Sequence, residues 1–532
     1  MRFLETMERY FSEQTRNQAC GTIAAENEGK SFMQRSCGVL YPISSLPSPY
    51  GIGSFSEEAR EFIRFLKQAG QSAWQILPIG PTGFGDSPYA SISAFAINPY
   101  FIDLDQLKAE GLLSEGELQE RFWGSDPESV DYGALYQNRY LVLKIAADRF
   151  FERGMGQQED YQSFCRKEQY WLEDYALFMA IKQQEQGKSW QEWDLPFKTR
   201  NKDALEQVEE EQKELISFIF FQQFEAEKMW NSLHEYAGEH GIEFIGDMPF
   251  YVSLDSADAW AHPDVFAMKK DRTPIEVAGC APDAFSSTGQ LWGNPVYDWK
   301  KPDHAMSWWM LRMKRSMEFY DVTRIDHFHG FSEYYAIPYG EKTAEHGTLR
   351  KGPGMSFFRK LKEECPLIRL IAEDLGNVTE ENTKLLNDTG IPGMKILEYA
   401  FTSWNSIYLP YRYDHHCVVY TGTHDNPPVR AWIEELNDGS RDFLRRYLNS
   451  MNSDYGQLTW DLIREAYRST ADLCIIPIQD YLVKGREAQM NVPGTSGNSW
   501  RWRVLPGFLS DDLARSMHDL SALYGRLGSS KK

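Results

Sequence analysis

The chain has 532 residues, 42% hydrophobic and 25% charged, so it can bury a large core. A single core stops growing at about 250–300 residues, which predicts either several packed units or one large barrel with insertions. Its 56 basic and 77 acidic residues give a formal net charge of −21. A surface this acidic repels phosphate backbones and anionic lipids, which argues against nucleic-acid and membrane partners and suits a neutral or cationic ligand.

The seven cysteines are widely spaced, and none belongs to a CxxC pair. Neither a zinc knuckle nor a dithiol redox site is therefore predicted, and scattered free thiols suit a reducing compartment. The sequence has no apolar run of about 18 residues, the length that a membrane span needs. The N-terminus has no basic region followed by an apolar stretch, as a signal peptide would. We therefore expect a cytoplasmic protein.

The first part of the chain differs in character from the rest. Residues 1–32 are polar and mixed, and dense hydrophobic patterning begins only at about Cys37. We interpret residues 1–32 as an N-terminal extension and residues 33–532 as the catalytic unit.

Short apolar segments bounded by Gly, Pro or Asp recur through the catalytic unit, and each has the length and continuity of a strand buried on both faces. These eight predicted strands are 73–80, 98–104, 242–250, 320–328, 367–376, 393–401, 417–426 and 472–482. Helix-like segments such as 57–70 and 203–241 lie between them. Eight strands alternating with helices predict an α/β fold, a (β/α)₈ TIM barrel.

The connections between the predicted strands are uneven in length. Residues 105–241 are largely helical and rich in Trp, Tyr and Glu, and residues 252–319 carry many Pro, Gly and aromatic residues. We interpret both as subdomains inserted between barrel strands. Only about 26 residues follow Pro506, too few for a C-terminal β-sandwich, so none is expected.

Four predicted strands end in a carboxylate followed by a turn residue or a histidine. These are Asp247 in GDMP, Asp326 in RIDHF, Glu373 in AEDLG and Asp425 in THDN. Each one alone could be the cap of a following helix. Catalytic residues of TIM barrels lie at the carboxyl ends of strands, so the four together predict an active site.

Two of these carboxylates have the surroundings of a nucleophile and a general acid. Arg324 shares a strand face with Asp326 and would favour its ionised form, although the pair could also be purely structural. Glu373 follows the apolar run LIRLIA, where burial and nearby acids would raise its pKa and keep it protonated. Such a pair of carboxyl groups is the arrangement of a retaining glycosidase.

The histidines beside these acids could belong to a metal site or to a sugar site. A zinc site would need a close set of ligands such as HExxH, which is absent. His327 and His424 are instead suited to donate hydrogen bonds to a sugar that Asp425 also contacts. The sequence contains neither GxxxxGK[ST] nor GxSxG, so phosphate-binding and serine-nucleophile sites lack support.

The ordered motifs RIDHF, AEDLG and THDN resemble those of the amylomaltases, or disproportionating enzymes. These are the 4-α-glucanotransferases of glycoside hydrolase family 77 in the α-amylase clan. The resemblance runs from about Arg35 to about Pro506. Further similar segments are 36–53, 84–100, 244–252, 281–297 and 491–503.

This resemblance implies a role for each matching residue. Asp326 would be the nucleophile, Glu373 the acid/base and Asp425 the stabiliser of the transition state. The donor sugar site would be lined by Tyr89, Asp247, Arg324, His327 and His424. The acceptor side would be covered by a loop containing Phe285, Gln290 and Trp292, and a further loop at the cleft would contain Asn491. Several members have an aromatic residue where this chain has Ala284, so one stacking surface for the glucan would be missing.

The expected substrates are α-1,4-glucans and maltooligosaccharides, and no cofactor or metal is expected because no EF-hand loop is visible. Transfer prevails over hydrolysis only if an acceptor is held in place and water is excluded. Phe285, Trp292 and Tyr297 could supply the aromatic faces for this, or could simply pack an insertion onto the barrel. The alternatives are an α-glucan hydrolase and a non-catalytic glucan-binding protein; the three acids argue against the latter.

Overall fold

The computed structural model describes residues 35–282, 286–376, 378–451, 453–495 and 497–527. The predicted N-terminal extension, residues 1–32, lies outside the described residues.

Eight parallel strands close into a barrel in the order β1-β12-β11-β10-β9-β6-β3-β2, which confirms the predicted (β/α)₈ fold. Seven of the eight predicted strands belong to it. The barrel strands are β1 Ser36–Leu40, β2 Ala73–Gln75, β3 Glu243–Met248, β6 Val322–Ile325, β9 Leu370–Ala372, β10 Gly393–Ile396, β11 Cys417–Tyr420 and β12 Leu473–Pro477. Every residue of β2, β6, β9, β11 and β12 is buried, as expected of strands covered on both faces.

The predicted strand at 98–104 is wrong. Pro99–Phe101 forms a 3₁₀ turn, and the Asn98 side chain caps it by accepting a hydrogen bond from the Tyr100 N–H. Pro99 has no N–H to donate to a sheet, and its fixed φ suits the first position of a helical turn. The eighth barrel strand is β1, where Gly38 packs so tightly that a Cβ would lie 2.5 Å from the Ala73 carbonyl oxygen.

Among the described residues, seventeen α-helices surround the barrel or extend from it. They are α1 Glu57–Gln68, α2 Leu104–Ala109, α3 Glu115–Gln119, α4 Tyr132–Glu152, α5 Glu159–Gln184, α6 Leu195–Lys198, α7 Lys202–Glu211, α8 Lys213–Glu239, α9 Ala257–Ala261, α10 Pro302–Phe319, α11 Met355–Glu364, α12 Glu380–Thr389, α13 Val429–Glu435, α14 Asp438–Leu448, α15 Tyr455–Arg468, α16 Ile478–Tyr481 and α17 Asp511–Leu523. Short 3₁₀ turns are Ile43–Ser45, Pro99–Phe101, Met155–Gln157, Trp190–Glu192, Phe328–Phe331, Leu397–Thr402, Pro410–Arg412 and Arg486–Ala488.

The helices follow from local sequence pattern. In α1, Phe62, Ile63 and Leu66 lie on one helical face and are fully buried, as the predicted helix at 57–70 requires. The predicted helical segment 203–241 forms two helices, α7 and α8, separated at Gln212. Among the described helices, none combines the length and the apolar character needed to cross a membrane.

A four-stranded antiparallel sheet, which the sequence pattern did not reveal, lies beside the barrel in the order β5-β4-β7-β8. Its strands come from both sides of β6, so chain segments before and after that barrel strand meet in one sheet. They are β4 Glu276–Cys280, β5 Gln290–Pro295, β7 Glu333–Pro338 and β8 Thr348–Lys351. The sheet places β5, with Gln290 and Trp292, next to the end of β6.

Candidate active site

The predicted acids lie at the carboxyl ends of neighbouring barrel strands. Asp247 is the penultimate residue of β3, and it pairs in register with Arg324 of β6. Asp326 follows β6 directly, and Glu373 follows β9 directly. Because β3, β6 and β9 are adjacent in the barrel, these side chains meet at one edge.

Arg324 joins two of these acids. Its Nη1 lies 2.6 and 2.7 Å from the two carboxylate oxygens of Asp247 and 3.2 Å from Oδ1 of Asp326. The Asp247 side chain is fully buried, whereas that of Asp326 is 31% exposed. Asp247 therefore anchors the guanidinium, and Asp326 keeps an accessible carboxylate beside a fixed positive charge.

Glu373 is held by two backbone donors. The His327 N–H donates to its Oε2 at 2.7 Å, and the Leu375 N–H donates to its Oε1 at 3.0 Å. Burial, and then the charge of Asp326, raise the pKa of Glu373 to about 8, although Arg324 and the two N–H groups oppose the rise. At neutral pH Glu373 is therefore protonated, as a general acid must be.

His327 connects Asp326 to Glu373 and has an unusual backbone conformation. Its φ of +53° lies in the left-handed region, which is uncommon for a residue other than glycine. This conformation directs the N–H of the residue after Asp326 at the Glu373 carboxyl group. Burial lowers the pKa of the His327 imidazole to about 4, so the ring is neutral at physiological pH.

Asp425 is farther in sequence from its barrel strand than the other acids are from theirs, because it comes five residues after the end of β11. Asn491 Nδ2 donates to its Oδ1 at 2.6 Å, and His424 Nε2 lies 3.4 Å from its Oδ2. The Asn491 N–H also donates to the His424 carbonyl at 3.1 Å. The predicted loop residue Asn491 thus holds both members of the His424–Asp425 pair.

Tyr89 links the two sides of the site. Its hydroxyl donates to Asp247 Oδ2 at 2.8 Å and lies 3.3 Å from His424 Nδ1, while its ring stacks on the His424 imidazole at 4.9 Å. Burial raises the pKa of Tyr89 well above its usual range, and the charges of Asp247, Asp326 and Asp425 raise it further. Three of the predicted acids thus lie within electrostatic range of this one phenol.

The predicted acceptor loop also reaches this edge of the barrel. The Trp292 ring meets the His327 ring edge-on at 5.1 Å and remains 39% exposed. Gln290 Oε1 accepts a hydrogen bond from Trp292 Nε1 at 3.1 Å. The predicted residue Phe285, and Ala284 beside it, lie outside the described residues.

Three aromatic residues at the site, Tyr251, Trp500 and Tyr399, were not predicted individually. Tyr251 lies 6.0 Å from the His327 ring and 6.2 Å from Trp292, and Trp500 lies 5.7 Å from Tyr89. Asn426, next to Asp425, approaches the Tyr399 hydroxyl at 3.5 Å. All three fall in segments already noted in the sequence, but an aromatic residue there could equally have belonged to the core.

Within the described ranges, no three His, Cys, Asp or Glu side chains converge as a metal-binding group. The ionisable groups at the site instead pair with one another, with Tyr89, with Asn491 and with backbone N–H groups. Their arrangement provides a charged carboxylate beside a protonated one, which is suited to acid-assisted displacement at a glycosidic carbon.

Comparison with known proteins agrees with this geometry. A family model described as 4-alpha-glucanotransferase matches residues 41–508. The 4-alpha-glucanotransferase of Clostridium butyricum is 43% identical, over 91% of this chain and 99% of its own length. The 4-alpha-glucanotransferase of Thermus thermophilus is 41% identical, over 93% of this chain and 100% of its own length. The structure of the amylomaltase from Streptococcus agalactiae in complex with acarbose has a TM-score of 0.89 and 38% identity, and the match covers 93% of this chain and 100% of that chain. The predicted family is thereby confirmed, and this chain belongs to the 4-alpha-glucanotransferases.

Proposed function

We propose that this 4-alpha-glucanotransferase moves segments of α-1,4-glucans and maltooligosaccharides to the 4-hydroxyl of an acceptor by a retaining double displacement. Asp326 is the nucleophile, Glu373 the acid/base and Asp425 the stabiliser of the transition state. The observation that carries the proposal is Glu373, with its pKa raised to about 8, next to an accessible Asp326 beside Arg324, on adjacent barrel strands.

In the first step, a carboxylate oxygen of Asp326 attacks the anomeric carbon of the donor. The bond from that carbon to the glycosidic oxygen breaks, and the leaving oxygen takes the proton of Glu373. The products are a glycosyl ester on Asp326, an ionised Glu373 and a shortened glucan with a free 4-hydroxyl. Positive charge that develops on the sugar ring is offset by Asp425, which Asn491 and His424 hold in place.

The second step reverses the roles. Esterification removes the negative charge of Asp326, which helps to raise the pKa of Glu373 in the free enzyme. The pKa of Glu373 therefore falls, and its new carboxylate remains until it accepts the proton of the acceptor 4-hydroxyl. The acceptor oxygen attacks the anomeric carbon, the ester bond breaks, and two inversions give net retention.

The other residues at this edge are assigned to substrate binding. Asp247 and Arg324 are locked together in the floor of the site, and the neutral His327 and the phenol of Tyr89 present hydrogen-bonding groups to a sugar. The donor sugar site is lined by Tyr89, Asp247, Arg324, His327 and His424. The acceptor is bound near Gln290, Trp292 and Phe285, and Asn491 completes the cleft.

Transfer in preference to hydrolysis is supported by the aromatic surroundings of His327. The rings of Tyr251 and Trp292 both lie within about 6 Å of its ring, and Trp292, which is 39% exposed, presents an apolar face beside the reacting groups. Such faces bind the C–H surface of an acceptor sugar and displace water, so that the ester meets a hydroxyl group of a sugar first.

Incubation with maltotriose tests this function. We expect glucose together with maltodextrins longer than maltotriose, because each transfer lengthens one chain and shortens another. Product chromatography over time measures this. Mostly glucose and maltose, with no longer chains, would identify an α-glucan hydrolase, and no product at all would leave only glucan binding.

A further inference from the structure

The chain segment that carries His424 and Asp425 has buried supports that the mechanism above does not use. This segment, residues 421–429, runs from the end of β11 to the start of α13. In the barrel, β11 lies between β10 and β12. The residues that follow these two flanking strands therefore lie on either side of the segment, and each strand contributes one buried carboxyl group.

Asp480, which follows β12, ties the two ends of the segment together. Its Oδ2 accepts a hydrogen bond from the Thr421 hydroxyl at 2.6 Å, and its Oδ1 accepts one from the Val429 N–H at 2.8 Å. The side chain is almost fully buried. Both carboxylate oxygens thus have donors from the segment that they hold.

Glu398, which follows β10, lies under the middle of the segment. Its N–H donates to the Thr421 carbonyl at 3.1 Å, and its side chain is only 2% exposed. A Cβ on Gly422 would lie 3.0 Å from its Oε1, so the carboxyl group fills the space against the segment's backbone. Among the described residues, Oε1 has no hydrogen-bond partner.

Asn426 connects the packing around Glu398 to the turn that contains Asp425. Its Oδ1 accepts hydrogen bonds from both the N–H and the hydroxyl of Thr423 at 2.9 Å, which closes the turn 423–426. Its side-chain amide lowers the pKa of the Glu398 carboxyl group, and its Cβ lies 3.1 Å from the position that a Cβ on Gly422 would take. Glu398, Gly422 and Asn426 are therefore packed as one unit.

We propose that Glu398 is a positioning residue, which packs beneath residues 421–426 and keeps Asp425 at the reacting sugar. The inference rests on the proposed role of Asp425. Glu398 itself does not touch the reacting groups; it acts through Gly422 and Asn426, while Asn491 holds Asp425 from the cleft side.

The surroundings of the Glu398 side chain favour the uncharged form of its carboxyl group. Burial, and then the charge of Asp480, raise the pKa of Glu398 well above its usual range, although Asn426 and Arg486 oppose the rise. An ionised carboxylate in such a place would be costly without a paired cation. A glutamine has nearly the same shape as the protonated acid, which makes Glu398→Gln the conservative replacement.

Kinetics with maltotriose test the proposal. We expect Glu398→Gln to keep kcat within about threefold of wild type, and Glu398→Ala to lower kcat by about 10- to 100-fold with KM within about threefold, because a displaced catalytic group slows the chemical step. Glu225→Ala is the matched control, since Glu225 is a buried carboxyl group on α8 that pairs with Lys228. It should leave kcat unchanged, whatever it costs in thermal stability.

A double-mutant cycle with Asp425→Asn separates positioning from general destabilisation. With α-maltosyl fluoride as an activated donor, fluoride release should fall on Glu398→Ala in the wild-type background but change less than about twofold in the Asp425→Asn background. Equal losses in both backgrounds would overturn the proposal. So would a wild-type kcat in Glu398→Ala, an equal loss in Glu398→Gln, or an equal loss in Glu225→Ala.

Failure of the proposed function would look different. It would appear in the wild-type enzyme as a lack of longer maltodextrins, or in Asp425→Asn alone as an undiminished rate. In either case the double-mutant cycle could report no coupling between Glu398 and Asp425. If only the positioning role fails, the wild-type enzyme still makes longer maltodextrins and Asp425→Asn still lowers the rate.

Discussion

Asp326 and Glu373 carry the same functional group in different surroundings. Asp326 has the Arg324 guanidinium at 3.2 Å and an exposed face, whereas Glu373 is partly buried, and burial and the charge of Asp326 raise its pKa. Asp247 fixes the position of the Arg324 guanidinium through two contacts, at 2.6 and 2.7 Å. Removing either reacting carboxyl group should therefore have distinct chemical signatures.

Replacing Asp326 by asparagine removes the nucleophile and nearly preserves its size. We expect kcat/KM for maltotriose to fall by at least about 1,000-fold, since no glycosyl ester can form. Steady-state kinetics measure the loss, and circular dichroism checks that the fold is retained. Near wild-type transfer by this variant would refute the nucleophile assignment.

Replacing Glu373 by glutamine removes the proton donor. We expect kcat/KM for maltotriose to fall by about 100- to 10,000-fold, but far less for α-maltosyl fluoride, whose leaving group needs no proton. The ratio of the two losses is the measurement. Equal losses for the two donors would show that Glu373 is not the acid.

The protonation of Glu373 also predicts how the activity of the enzyme depends on pH. With its pKa raised to about 8, the acid form predominates at neutral pH and is lost as the pH rises through about 8. The kcat/KM of the wild-type enzyme should therefore fall on the alkaline side, by about tenfold per pH unit well above that value. The Glu373→Gln variant, assayed with α-maltosyl fluoride, should lack this alkaline fall; if it keeps the fall, another group titrates.

At the level of elements, the antiparallel sheet brings the proposed acceptor residues Gln290 and Trp292 to the barrel. Trp292 projects from β5 onto His327, so Trp292→Ala should admit water and raise the hydrolysed share of maltotriose products by about three- to tenfold. Leu291→Ala is the control, because Leu291 is equally exposed but lies on the opposite face of the same strand. Reducing-end assays combined with chromatography measure the share. The same rise in both variants would mean that any truncation of β5 has this effect.

The elements that could be predicted are those whose pattern is local. Continuous apolar runs identified seven barrel strands, and spacing along 57–70 identified α1. In β1, Ser36 and Gly38 interrupt the apolar residues, so no continuous apolar run marks the strand, while the apolar run at 98–104 contains Pro99 and folds as a turn. The antiparallel sheet depends on pairing between β4 and β7, which are separated by a barrel strand and which no local pattern connects.

The site could be predicted to the same extent and for the same reason. Asp326 and Glu373 follow strands directly, so their convergence follows from barrel geometry. Trp500 reaches Tyr89 from a loop that belongs to another part of the chain, and the preference of Arg324 for Asp247 over Asp326 depends on strand register. Contacts of this kind are set by tertiary packing and are not visible in a single sequence.

Considered as a whole, the molecule separates catalysis from closure of the barrel. The proposed catalytic groups lie at the carboxyl ends of the strands, whereas Arg526 lies at the opposite face and is fully buried. Its guanidinium donates to the carbonyls of Ser36 at 2.9 Å, Tyr467 at 2.8 Å and Ser469 at 3.1 Å. Ser36 begins β1, whereas Tyr467 and Ser469 precede β12, and Arg526 also donates to the carbonyl of Asp472, the residue before β12, at 3.3 Å. Because β1 pairs with β12 where the barrel closes, Arg526 joins the starts of these two strands.

Replacing Arg526 by methionine should therefore reduce stability without changing the chemistry. Several buried carbonyl groups would lose a charged donor, which we expect to lower the free energy of unfolding by about 3 to 5 kcal/mol. Denaturant titration measures this, and kcat for maltotriose, corrected for the folded fraction, should stay within about twofold of wild type because no group at the carboxyl ends of the strands has changed.

The matched control for this prediction is Arg515→Met, the same substitution at an exposed arginine of α17 that pairs with Asp512. Exposed ion pairs contribute about 0 to 1 kcal/mol, so this variant should unfold almost as wild type does. If Arg526→Met unfolds like Arg515→Met, the clamp is not needed for closure. If Arg526→Met instead loses kcat in proportion to its loss of stability, the two ends of the barrel are coupled. Packing at the amino ends of the strands would then affect the geometry of the site at their carboxyl ends.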